Sequence, residues 1–90
     1  MKLNKKQANT LEKIYEKPTR ADLAWTDILA LCKACGAQIV QREGSRVCIK
    51  LGLQRAVFHA PHPQKEMVKG AIEDLREFLK NAGITIERRT

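Results

Sequence analysis

Two histidines, His59 and His62, close the stretch "VQREGSRVCIKLGLQRAVFHAPHPQKE" (residues 40 to 66), which also carries Arg46, Lys50, Arg55 and Lys65. Imidazole changes protonation near neutral pH, so two of them can trade protons as general base and general acid. Arginine and lysine beside such a pair would stabilise negative charge developing on a reacting group. Arginine cannot be the base, because it stays protonated. Neither histidine completes a metal-ligand spacing or a nucleophile–base motif, so the chemistry these residues suit is proton transfer at an anionic centre, with no cofactor. The alternative is that both are exposed strand or loop histidines, or donors to a bound anion.

The rest of the composition points to the same kind of partner. Seventeen Lys and Arg against ten Asp and Glu give a net charge of +7 and a pI near 9.7. A compact basic chain of 90 residues is expected to be one domain, 1–90, whose partner is polyanionic: nucleic acid, an acidic protein or an anionic surface. No apolar stretch is long enough to span a bilayer, and the start "MKLNKK" lacks the apolar run of a signal peptide, so the expected location is the cytoplasm. Three cysteines are an odd number and are expected to be reduced thiols. Cys32 and Cys35 form a C-x-x-C, but in an apolar helical segment without a second pair or a neighbouring ligand histidine, which reads as small buried hydrophobes. Cys48 stands alone.

Positioning the charged stretch takes helices on both sides of it. Asn4 followed by Gln7 predicts a capped helix over about residues 5 to 16, with Ala8, Leu11 and Tyr15 on one side and Pro18 beyond it. After the linker "PTRADLA", Trp25, Ile28, Leu29 and Cys32 recur at helical spacing to about Cys35, and Gly36 is a fitting stop. Trp25 reads as core rather than a base-stacking platform. Three strands follow, about 37–42, 45–51 and 54–60, separated by turns at Glu43–Gly44 and Gly52–Leu53. Two-residue loops would set Val40 opposite Val47, Val47 opposite Phe58 and Ile49 opposite Ala56 on one apolar face. Gln41, Arg46 and His59 would then share a row on the other face, where Lys50 meets Arg55. Like charges opposite each other are tolerated if the face meets an anion; otherwise the two side chains splay apart in solvent. The last helix carries Val68, Ala71, Ile72, Leu75, Phe78, Leu79 and Ala82 as one apolar stripe, with Lys69, Glu73, Arg76, Glu77 and Lys80 opposite and Gly83 as a left-handed stop. The tail "ITIERRT" is expected to form an edge strand or stay mobile, with Arg88 and Arg89 adding affinity for a polyanion.

From about Trp25 to Ile84 the chain resembles the HicA family of bacterial toxins. The likeness is carried by Gly36–Ala37 after a helix, by "GSR" at Gly44 to Arg46 where the family shows G-S-H, and by "PHPQKEMVKGAIEDLREFLKNAGI" where it shows P-x-H, K-E and a helix ending in A-G. The resemblance implies an α+β fold like that of double-stranded-RNA-binding domains: a three-stranded antiparallel sheet with helices packed on one face, in the order α-α-β-β-β-α. It implies an mRNA-cleaving endoribonuclease held inactive by an acidic HicB-like antitoxin; that it works without metal is expected from two histidines with no recognisable metal-ligand set. In the family the histidine after G-S is implicated in cleavage, and Arg46 stands there; His62 matches the histidine before the lysine–glutamate pair, here Lys65 and Glu66. The first 24 residues are an N-terminal helical extension to that core.

Cleavage of RNA without metal needs a base for the ribose 2'-hydroxyl, an acid for the leaving 5'-oxygen and cations for the phosphorane. His59 and His62 are the candidates for the first two roles. Ser45, Arg46, Lys50, Arg55, Lys65 and Lys69 are the candidate RNA contacts. Three functions stay open on the sequence: a HicA-like toxin with a rearranged site, an RNA-binding relative that has lost cleavage along with the histidine, and a basic module that only binds an acidic protein.

Overall fold

The computed structural model describes residues 3–61 and 64–86. Helix α1 (Lys5–Ile14) and helix α2 (Trp25–Ala34) precede strands β1 (Gln38–Gln41), β2 (Arg46–Leu51) and β3 (Gln54–His59), and helix α3 (Lys69–Asn81) follows. The sheet is an antiparallel meander in the order β1-β2-β3, so the chain is α+β in the expected order and compatible with the double-stranded-RNA-binding-domain-like naming.

Local signals start α1 and end α2 and α3. The Gln7 amide donates to Asn4 Oδ1 at 2.8 Å and the Asn4 amide donates to Gln7 Oε1 at 3.0 Å, a reciprocal cap that satisfies two amides of α1. Helices α2 and α3 stop alike. Gly36 (φ 94°) and Gly83 (φ 84°) take left-handed conformations, and the next residue's amide reaches back, Ala37 to the Cys32 carbonyl at 2.9 Å and Ile84 to that of Leu79 at 2.8 Å. This closure needs a residue without Cβ strain at the turning point.

The β2–β3 register is the expected one: Val47 faces Phe58, Ile49 faces Ala56, Lys50 faces Arg55 and Arg46 faces His59. The β1–β2 register is not. Val40 pairs with Cys48 and Gln41 with Val47, while the Arg42 amide donates to the Arg46 carbonyl at 2.9 Å. The loop therefore holds three residues, Glu43 to Ser45, rather than two. Gly44 has φ 69°, and the left-handed residue that such a loop needs favours glycine. One extra residue turns β1 over. Val40 faces away from the helices, and Gln41 leaves the Arg46–His59 row.

The core lies between the helices and the inner face of the sheet. Val47, Ile49 and Phe58 pack there with Ile28, Leu31 and Cys32 of α2 and Ile72, Leu75, Phe78 and Leu79 of α3. The Phe58 and Phe78 rings meet edge to face, 6.3 Å apart at 77°, a favourable quadrupole geometry. Leu11 and Ile14 join the same cluster, so α1 contributes to the core although it lies outside the HicA-like stretch. Val68 is the exposed N-cap of α3 rather than part of its buried stripe. Arg76, expected on the solvent side, is half-buried: it donates to the carbonyls of Ile14 at 2.9 Å and Glu16 at 3.1 Å and to Thr19 Oγ1 at 3.0 Å. It thus ties α3 to the end of α1 and the linker after it. That linker is also held by an antiparallel bridge between Ala24 and Glu66, with Met67 N–H donating to Leu23 O at 3.0 Å and Trp25 N–H to Lys65 O at 2.9 Å. Residues 84–86 form no strand; Arg88 and Arg89 lie outside the described residues.

Candidate functional site

The face of the sheet away from the helices has three rows, fixed by the strand pairing. Gln38, Lys50 and Arg55 form one, Val40, Cys48 and Val57 the next. The third is Arg46 with His59, extended by Arg42 through its backbone bond to Arg46. An apolar row is thus bordered by a basic row on each side. No acidic residue stands in any of the three. The ion pairs among the described residues, Lys6–Asp27, Arg20–Glu16 and Arg20–Asp22, lie on the helices and the linker.

His59 has the most defined surroundings. The Ala60 amide donates to the Ser45 carbonyl at 2.7 Å, which makes the next pair, Arg46 and His59, a non-hydrogen-bonded one, the kind whose side chains lie closest. Ser45 Oγ is 3.4 Å from His59 Nδ1, and Arg46 Nε donates to the Glu43 carbonyl at 3.5 Å. All three side chains are exposed. A serine hydroxyl can donate to Nδ1 or accept from it, so this contact engages Nδ1 in either tautomer and leaves Nε2 open to a bound group.

The other candidates fall into separate places. Lys50 and Arg55 sit opposite each other four residues further along the strand, about 13 Å from the Arg46–His59 pair at the usual rise per residue. They line a shallow depression with Gly52 and Gln54. Lys65 is held beside the start of α2 by its carbonyl bond to Trp25, and lines a cleft with Trp25 and Pro61. Trp25 is accordingly half-buried, packed on the core with one side on this cleft. Lys69 opens α3 and is exposed. His62 lies outside the described residues. Arg42 belongs beside Arg46, a place that the expected two-residue loop does not give it and that the three-residue loop does.

The cysteines behave as packing groups. Cys32 is fully buried in the core, and burial pushes its thiol up to about 12; Cys35, partly buried, is also raised by burial. Cys48 is 1% exposed, yet it belongs to the open face and not to the helix-packed cluster. Among the described residues no group of three or more His, Cys, Asp or Glu is placed to hold a metal ion.

A family model described as "HicA toxin of bacterial toxin-antitoxin" matches residues 25–84, two thirds of the 90 residues. The chain belongs to the HicA toxin family. Comparison with curated proteins and with solved structures gave no match. The matched span begins at the first residue of α2 and ends on the residue that closes α3, so it contains the whole sheet and both helices that pack on β1 and β3. This HicA-family chain is therefore the toxin side of a toxin–antitoxin pair, and membership implies an antitoxin partner. Among the described residues no helix is long and apolar enough to cross a membrane. Gly44, Ser45 and Arg46, the family's G-S-H position, form the end of the three-residue loop and the first residue of β2. Arg46, the residue that the sequence likeness sets against the histidine of G-S-H, has the His59 imidazole directly across the ladder.

Proposed function

We propose that this HicA-family toxin is an endoribonuclease that cleaves messenger RNA without a metal, with His59 replacing the histidine lost after Gly44–Ser45. The observation that carries this reading is the Arg46–His59 cross-strand pair with Ser45 Oγ at 3.4 Å from Nδ1. With Nδ1–H donating to the Ser45 hydroxyl, Nε2 holds a lone pair and takes the proton from the ribose 2'-hydroxyl. The 2'-oxygen then bonds to phosphorus and the bond to the 5'-oxygen breaks, leaving a cyclic phosphate and a free 5'-hydroxyl once a proton reaches that oxygen. Arg46 stabilises the extra charge on the phosphorane. His62 is the proposed proton donor to the leaving oxygen, and Lys50, Arg55, Lys65 and Lys69 are the proposed contacts to phosphates further along the RNA. An acidic HicB-like antitoxin would cover a face of this charge.

A second reading is favoured by one feature, the guanidinium at the family's histidine position: binding of RNA without cleavage. End analysis of labelled RNA incubated with the purified protein in excess chelator separates the two. Cyclic phosphate and 5'-hydroxyl ends support cleavage by the protein's own side chains. Cutting that appears only with added divalent metal, or ends bearing a 5'-phosphate, rejects this mechanism.

A further inference from the structure

We infer that the open sheet face is a track for single-stranded RNA, with bases laid on the Val40–Cys48–Val57 row and phosphates held by the basic rows on either side. This assignment rests on the RNA-cleaving function proposed above and adds the form of the substrate and the residues that select it.

The apolar row is the feature that ribonuclease chemistry does not use. It exists because the β1–β2 loop has three residues, which puts Val40 opposite Cys48 and brings it onto the open face beside Val57. Val57 is 54% exposed, among the few large apolar side chains left open to solvent, and no helix covers it. Between the two valines Cys48 is shut from water although it is outside the helix-packed core. The row is therefore a firm apolar floor, not a gap. Its borders are cationic, Arg42 and Arg46 on one side and Lys50 and Arg55 on the other, with a spacing of about 13 Å along β2 that spans more than one nucleotide of extended chain.

A duplex and a single strand meet such a face differently. The outer surface of a duplex is phosphate and ribose, so laying it across the sheet would press anions and hydroxyls onto valines while its bases stay stacked inside. A single strand turns base faces outward, and these cover apolar side chains while the backbone runs along the cations. Charge complementarity selects the polyanion, and the central row selects one with free bases.

Binding of a short unstructured 2'-O-methyl RNA, which cannot be cut, tests this by fluorescence anisotropy against the same strand annealed to its complement. Wild type is expected to prefer the single strand. Val57→Ser should weaken single-strand binding about three- to tenfold, the effect of losing half-buried apolar contact, with the salt dependence unchanged. Val57→Phe should tighten it, a gain that misfolding cannot imitate. Lys50→Gln should instead flatten the slope of log affinity on log salt by about 0.7. Duplex bound as tightly as single strand, or both Val57 variants indistinguishable from wild type while Lys50→Gln still weakens binding, overturns the track and leaves RNA binding standing. Wild-type protein that binds neither form overturns the proposed function and the track together.

Discussion

At the residue scale the site reduces to what can move a proton and what can hold a phosphate. His59 lies beside Arg46 because β2 and β3 are joined by a two-residue turn, and that neighbourhood was legible in the sequence from Gly52 alone. Arg42 was not, because nothing in "REGSR" distinguishes a two- from a three-residue loop; only the fit of the whole sheet to the helices chooses. Arg76 was also misplaced: periodicity tells which side of α3 it occupies, but not that carbonyls left free at the end of α1 would lie over that side. Replacing Arg76 by Ala removes a charged donor from three acceptors and should lower stability by about 1.5–3 kcal/mol in urea denaturation. Lys at the same position should recover only part of it, since an ammonium lacks the planar fork. For the thiols the sign is fixed by burial: Cys32, raised to about 12, keeps its neutral form in the fold while the unfolded chain ionises near the usual thiol value. Its contribution is intact below that value and is lost as pH rises toward about 12. Alkylation at neutral pH should accordingly leave Cys32 unmodified until denaturant is added.

At the scale of elements, helix positions followed from local signals, since Asn4–Gln7, Gly36 and Gly83 act within a turn of themselves. Sheet register obeys a different logic, because a single residue in a loop exchanges the two faces of a strand. Val40 was thereby assigned to the core and is found on the open face opposite Cys48. Helix α1 shows the reverse case. It lies outside the family-matched span, yet Ile14 is completely buried and Tyr15 OH donates to the Ile84 carbonyl just past α3. Ile14→Ala should cost about 2–5 kcal/mol, measurable as a fall in the urea midpoint, with no direct effect on the open face. A chain cut back to the family-matched residues would expose the apolar sides of α2 and α3 that α1 covers, and is expected to aggregate or to melt at a markedly lower temperature.

For the whole molecule, the helices collect on one face of the sheet and Arg46, Lys50 and Arg55 of β2 and β3 on the other, so part of the excess positive charge stands where no helix packs. Composition had already indicated a polyanionic partner, but only the strand pairing concentrates Arg46, Lys50 and Arg55 on one surface. RNA affinity should therefore fall steeply with added salt as counterions are released, and Arg46→Ala should reduce both the affinity and that dependence. The central claim is that this surface cuts RNA with His59. It is tested most directly by single-turnover cleavage of labelled RNA in excess chelator, comparing wild type with His59→Ala at protein concentrations where both bind the RNA. The expected result is cutting by the wild type and a loss of at least about a hundredfold in His59→Ala, with binding retained. Intact RNA with the wild type, while Arg46→His cuts, would contradict it and make the natural chain an RNA-binding protein that lost cleavage at the family's histidine.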